Sequence, residues 1–216
     1  MSQSGVADTA KQIAGQLLEI GAVHLRPDEP FTWTSGIKSP IYCDNRITMS
    51  YPAVRNLIAE GFAALIRERY PAAEVIAGTA TAGIPHAAWV AHLLNLPMIY
   101  VRDKAKSHGR QNQIEGSLKS GQKVVVIEDL ISTGGSSLKA AQAVAAEGGV
   151  VLGVAAIFSY QFPEAEALFG QALIPFATLS SYTALLEVAR ERGIIDAEKE
   201  KLLSEWRKAP QLFYQS

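Results

Sequence analysis

The stretch Val124 to Ser137, VVVIEDLISTGGSS, constrains the fold more than any other part of the chain. Val124 to Ile127 is β-branched throughout and follows the turn Ser120-Gly121, the pattern of a strand covered on both faces. Helical spacing resumes at Leu138, Ala141, Val144 and Ala145, so the intervening loop joins a strand's carboxyl end to a helix's amino end. In open parallel sheets, ligands sit at that junction. Thr133, Gly134, Gly135 and Ser136 offer backbone N–H groups and small hydroxyls to an anion, and the helix dipole favours negative charge there. No Lys follows the glycines as in a P-loop, and the dinucleotide glycine spacing is absent. Glu128 and Asp129 would repel a phosphate unless vicinal sugar hydroxyls or Mg2+ offset them. A ligand-free acidic turn is the competing reading, but a Glu-Asp pair closing a buried strand is costly without a purpose.

The rest of the chain supplies the elements such a junction needs. Ala10, Ile13, Ala14, Leu17 and Leu18 mark an amphipathic helix over about 7–20 that stops at Gly21. Ala22 to Arg26, Phe31 to Thr34 and Ile41 to Asp44 read as short strands broken by prolines, together a small antiparallel hood. A second helix spans Tyr51 to Tyr70, with Pro71 ending it. Strand and helix then alternate: strand Val75–Gly78, helix Pro85–Asn95, strand Met98–Val101, strand Lys123–Glu128, helix Ser136–Glu147 and strand Val151–Phe158. This alternation is the mark of a mainly parallel α/β sheet flanked by helices. A short helix over Glu164–Phe169, a strand near Leu173–Thr178, and helices Tyr182–Arg192 and Ala197–Lys208 follow, with Leu202, Leu203 and Trp206 as packing residues. We expect one domain over 1–216, its core at about 51–180 and the hood at about 1–50 joined by the carboxyl-terminal helices.

Two further loops carry chemistry. Thr79, Ala80, Thr81, Ala82 and Gly83, between a strand and a helix, expose backbone amides as a second anion cradle; small residues also serve tight turns. Arg102 to Arg110 crowds four cations (Arg102, Lys104, Lys106, Arg110) with His108 and no apolar anchor until Ile114. By itself this is a solvated surface turn, but it follows what reads as the strand beside Val124–Ile127, from where it could close over bound phosphates.

Bulk properties narrow the class. At 216 residues and 48% hydrophobic content the chain supports one sizeable core. A net charge of −1 gives no electrostatic case for a nucleic-acid partner. No membrane-spanning run or signal-peptide core is present, so a cytoplasmic location is expected. The single Cys43 excludes an intrachain disulfide and reads as a small buried hydrophobe in a strand.

Glu128 to Ser136 resembles the 5-phosphoribosyl pyrophosphate (PRPP) motif of type I phosphoribosyltransferases. Ser35-Gly36-Ile37-Lys38-Ser39-Pro40-Ile41-Tyr42 in the hood, the turn ending Gly83-Ile84-Pro85, and the loop Arg102 to Gly109 are together similar to the orotate branch of that family. The resemblance implies the type I fold, Mg2+ carried mainly by PRPP with no direct protein ligand, PRPP and orotate as substrates, and a homodimer whose loop reaches the neighbouring site. It implies PRPP contacts from Arg102, Lys106, His108, Glu128, Asp129, Leu130, Ile131, Ser132, Thr133, Gly134, Gly135 and Ser136. Arg102, Lys106, His108 and Asp129 would be catalytic, Ser132 would face orotate, and Thr79–Gly83 would form the pyrophosphate loop with a cis non-proline peptide near Ala80. Thr34, Asp103, Thr81, Ala82 and Tyr160 stand where relatives often carry other, mostly basic, residues, leaving Lys38 and Arg46 to hold the orotate carboxylate. A purine or uracil acceptor, or a PRPP-sensing regulator, are the alternatives.

Overall fold

The computed structural model describes residues 3–33, 36, 38–103, 113–211 and 213. Helix α1 (Gln3–Glu19) leads into strands β1 (Val23–Leu25), β2 (Phe31–Thr32), β3 (Lys38–Ser39) and β4 (Ile41–Cys43), followed by a 3₁₀ turn at Asn45–Ser50. The hood is therefore two separate antiparallel pairs, β1 with β4 and β2 with β3. Lys38–Ser39 as a strand and the 3₁₀ turn were not expected from sequence.

Next come α2 (Pro52–Arg69), β5 (Val75–Thr79), α3 (Gly83–Leu94), β6 (Met98–Val101), β7 (Ile114–Glu115), β8 (Lys123–Ile131) and α4 (Gly135–Ala146). The chain continues through β9 (Val150–Ser159), α5 (Pro163–Ala172), β10 (Phe176–Ser181), α6 (Tyr182–Glu191) and α7 (Ala197–Trp206). Pro52 starts α2, where its missing N–H costs nothing, and Arg67 and Arg69 meet the negative end of the helix dipole.

The main sheet has six strands in the order β10-β9-β8-β5-β6-β7. All its pairs are parallel except β6 with β7. Three expectations need correction. The strand near Leu173–Thr178 is Phe176–Ser181, because Leu173 adopts the left-handed conformation that closes α5. β8 does not end at Glu128 but runs to Ile131, held by pairing with β9 as far as Ile131↔Ser159. β6, from which the cationic loop departs, is separated from β8 by β5.

Both sheet faces are covered, which is why Val124–Ile127 and Val154–Phe158 are fully buried apolar runs. Val125, Ile127, Ile157 and Phe158 pack with α1, α2, α3, α6, α7 and the hood; Val124, Val126 and Val154 pack with α4 and α5. Each such side chain contributes about 1.5–3 kcal/mol by leaving water. Leu203 and Trp206 are wholly buried, and the Trp206 indole N–H donates to the Lys38 carbonyl at 3.3 Å, tying the last helix to the hood.

Candidate functional site

The site is assembled where β5 and β8 end and α3 and α4 begin, with the hood above. β8 carries Glu128 and Asp129 within the strand, with only Ser132 and Thr133 in the turn before Gly134, which caps α4. Glu128 is 5% exposed; its Oε1 accepts from the Asp129 N–H at 3.0 Å, and among the described residues its Oε2 has no hydrogen-bond partner. Burial, then the adjacent Asp129 charge, raises the Glu128 carboxyl well above the usual range. Burial raises Asp129 as well. A pair buried this way is short of polar partners, a shortfall that the hydroxyls of a polyhydroxy ligand or a nearby cation would offset.

Beyond the pair, Leu130 is half-buried and Ile131 fully buried in the core, so Ile131 offers a ligand only its backbone. The Thr133 N–H is turned onto the Ser132 hydroxyl at 2.6 Å. Gly134 has φ +83°, and a Cβ there would lie 2.8 Å from Phe169, so only glycine fits. Gly135 has open space in front of it, and Thr133 and Ser136 are exposed at the start of α4. The cradle therefore presents small groups and a helix amino end to an anion.

On β5, Thr79 is buried and its hydroxyl has no hydrogen-bond partner among the described residues. The Ala80 N–H donates to Val101 O at 2.9 Å, the Ala80–Thr81 peptide is cis, Thr81 is exposed and Ala82 half-buried. Gly83 opens α3 against β8 so closely that an added Cβ would sit 2.4 Å from Ile127 O. This close approach packs the start of α3 directly on β8 just before its acid pair.

Arg102 follows β6. Its N–H donates to Gln113 O at 2.8 Å and its guanidinium lies 3.6 Å from Glu115, so the loop's two ends are clasped together. Lys104, Lys106, His108 and Arg110 lie outside the described residues, as does Thr34. Thr79, Ala80, Arg102, Ser136 and Lys139 share a cavity of about 390 Å³. Lys139, on α4, was not singled out by sequence because it reads as an ordinary exposed helix cation.

A second cavity, about 420 Å³, opens between the hood and the sheet, lined by Phe31, Thr32, Trp33, Tyr42, Cys43, Leu130, Ser132 and Tyr160. Its walls are aromatic: Trp33 lies 5.6 Å from Tyr160, and Tyr160 stacks on Phe162 at 5.3 Å. Such walls suit a flat ring. Ser132 belongs to this cavity and also to the turn that leads into the anion cradle. Cys43 is a buried strand residue whose thiol burial pushes well up, so it remains a protonated donor, here to Asn45 Oδ1 at 3.3 Å. Arg46 clasps Asp44 with both Nε (2.6 Å) and Nη2 (2.8 Å), which lowers Asp44 and raises Arg46. Lys38 is exposed on β3. Among the described residues, no three His, Cys, Asp or Glu side chains are grouped as metal ligands, and no helix is long and apolar enough to cross a membrane.

Residues 50–166, which contain both anion cradles and the whole of β8, match the phosphoribosyl transferase domain family. The chain is thus a phosphoribosyltransferase-fold protein. It is 62% identical to an orotate phosphoribosyltransferase of Enterococcus faecalis over 202 residues, 94% of this chain and 96% of that one. The orotate phosphoribosyltransferase of Aeropyrum pernix superposes with a TM-score of 0.73 at 26% identity, covering 85% of this chain and 99% of that one. That of Mycobacterium tuberculosis H37Rv in complex with PRPP gives a TM-score of 0.64 at 26% identity, over 82% and 98% of the two chains. The chain belongs to the orotate phosphoribosyltransferases.

Proposed function

We propose that the chain transfers the 5-phosphoribosyl group from PRPP to N1 of orotate, releasing pyrophosphate and giving orotidine 5'-phosphate, a step of pyrimidine (UMP) biosynthesis. The observation that carries this reading is the shared edge of two sites: an acidic strand end and anion cradle for a ribose phosphate, meeting at Ser132 an aromatic cavity for a flat base.

In this reading Glu128 and Asp129 accept hydrogen bonds from the ribose hydroxyls. The backbone from Leu130 to Gly135 and the hydroxyls of Thr133 and Ser136 hold the 5-phosphate at the positive end of α4. Thr79 to Gly83 cradle the pyrophosphate. Orotate N1 bonds to C1 from the face opposite the pyrophosphate, its proton passing to the departing pyrophosphate or to solvent; the C1–O bond breaks and its electrons pass to the leaving oxygen, with inversion. Arg102, Lys106 and His108 stabilise the charge gathering on that leaving group, which is electrostatic rather than covalent catalysis. Ser132 lies beside the base. Arg46, whose field reaches Tyr42 of the cavity wall and Asp129, and Lys38 on the hood are the cations available to the orotate carboxylate.

Mg2+ carried on PRPP oxygens, with no direct protein ligand, would stand near the buried Glu128–Asp129 pair and offset negative charge on the pyrophosphate. The protein works as one unit over residues 1–216, as a cytoplasmic homodimer in which the 102–110 loop of one subunit completes its neighbour's site.

Steady-state turnover with PRPP and Mg2+, following loss of orotate absorbance beside uracil and hypoxanthine, tests this function. Orotate should be consumed far faster than either; preference for another base overturns it.

A further inference from the structure

We propose that Asn45, in the 3₁₀ turn after the hood, is a positioning residue that sets the Asp129 end of β8 for the ribose and joins it to the acceptor cavity. The inference rests on the reading of Asp129 as a ribose-binding group.

β5 pairs with β8 only as far as Gly78↔Ile127, whereas β8 continues along β9 to Ile131. Past Ile127, β8 thus has no strand on the β5 side among the described residues, and its backbone there needs other partners. The Asn45 side chain supplies one: its Nδ2 donates to Asp129 O at 2.7 Å, across 84 residues of sequence, from a fully buried position. Its Oδ1 accepts from the Cys43 thiol at 3.3 Å. The protonated thiol fixes the amide's orientation, because the flipped amide would set Oδ1 against a carbonyl oxygen. Asn45's own carbonyl accepts from the Thr48 hydroxyl at 2.6 Å, and that hydroxyl lies 3.5 Å from His86 Nε2 in the first turn of α3.

One turn thereby touches three parts of the site. Cys43 lines the aromatic cavity, Asp129 belongs to the acid pair, and His86 stands on the helix that issues from the 79–83 cradle. Asn45 takes the place of the missing ladder donor at the point where the strand must carry a ligand-binding carboxylate. Loss of Nδ2 leaves the part-buried Asp129 carbonyl without that partner and frees the strand end to move.

The test is titration calorimetry of Asn45→Ala and Asn45→Asp, which lose the donor, with ribose 5-phosphate and separately with pyrophosphate, each with Mg2+. Ribose 5-phosphate should bind about tenfold more weakly, the size of one lost hydrogen bond. Pyrophosphate should bind within about twofold of the unmodified enzyme, since Asn45 does not hold that cradle directly. Equal weakening of both ligands, or of neither, overturns the assignment. Absence of ribose 5-phosphate binding by the unmodified enzyme overturns the donor-site reading itself, a distinguishable failure. Should both variants fail to fold, 15N NMR of the unmodified enzyme decides. The Asn45 side-chain amide signals should shift with ribose 5-phosphate and stay in place with pyrophosphate; an amide pair that ignores ribose 5-phosphate overturns the proposal.

Discussion

Gly83→Ala probes the site sharply, because it adds a single methyl where two backbones meet. The new Cβ would lie 2.4 Å from Ile127 O and 3.4 Å from Thr79 Cβ. The first distance is roughly 1 Å short of ordinary contact. Neither side yields cheaply: Ile127 is fully buried and lies within β8, paired on one side with Gly78 and on the other with Ala155. Overpacking of this kind costs about 2 kcal/mol, which for a chain of this size lowers Tm by roughly 4–8 °C. The first turn of α3 must move back, and the 79–83 cradle moves with it. Misplacement by about 1 Å at a reacting centre costs on the order of 100-fold in rate. Differential scanning calorimetry and PRPP-saturated turnover measure the two effects. Gly170→Ala is the control, since α5 leaves that position open and an added Cβ meets nothing within 4 Å; it should be neutral or slightly stabilising. A Gly83→Ala enzyme with unchanged Tm and turnover would refute the claim that the 79–83 turn is positioned by the close approach of Gly83 to β8.

Two further outcomes follow from the same geometry. Burial lowers His86 to about 4 from its ordinary 6.5, so the folded protein refuses a proton that the unfolded chain accepts. The stability this group supports is complete above about 6.5 and is lost as pH falls towards about 4, by roughly 3 kcal/mol in all. Glu128 has a raised folded pKa and titrates with the opposite sign, gaining stability as pH falls. The difference between unmodified enzyme and His86→Gln in urea melts across that window therefore isolates His86; parallel curves would contradict its buried neutral state. Gly134→Ala must force a left-handed φ of +83° and meet Phe169 at 2.8 Å, costing about 2–3 kcal/mol. Calorimetric inorganic-phosphate binding should weaken with it, and a variant that binds phosphate normally would show that this turn is not the cradle.

How much of this was legible in the sequence follows from where the determining forces act. The run Val124–Ile127 and the stripe Val54, Ile58, Phe62 and Ile66 announce their elements because burial on two faces or one is written in local periodicity. The continuation of β8 through Glu128 and Asp129 is invisible locally, since an acidic pair resembles a strand's end; pairing with β9 carries it on. The 3₁₀ turn at Asn45–Ser50 has no periodic signal, being held by the Asp44 cap and by a bond to a residue far along the chain. Strand order was equally hidden, because helical crossovers of similar length can place β6 beside β8 or beyond β5. The acid pair and both small-residue turns that open α3 and α4 could be read from residue chemistry. The aromatic cavity could not, because Trp33, Tyr42 and Tyr160 are brought together only by the fold.

In the proposed function labour is divided: the end of β8 would grip the donor, and the cationic loop would drive departure of pyrophosphate. The orotate-absorbance assay, run as a PRPP titration on Lys106→Ala and Asp129→Asn, tests it most directly. Lys106→Ala should lower kcat by about 100-fold or more with little change in the PRPP dependence, while Asp129→Asn should raise the PRPP requirement by about tenfold. Lys106→Ala at full turnover, or Asp129→Asn with an unchanged PRPP requirement, would contradict it.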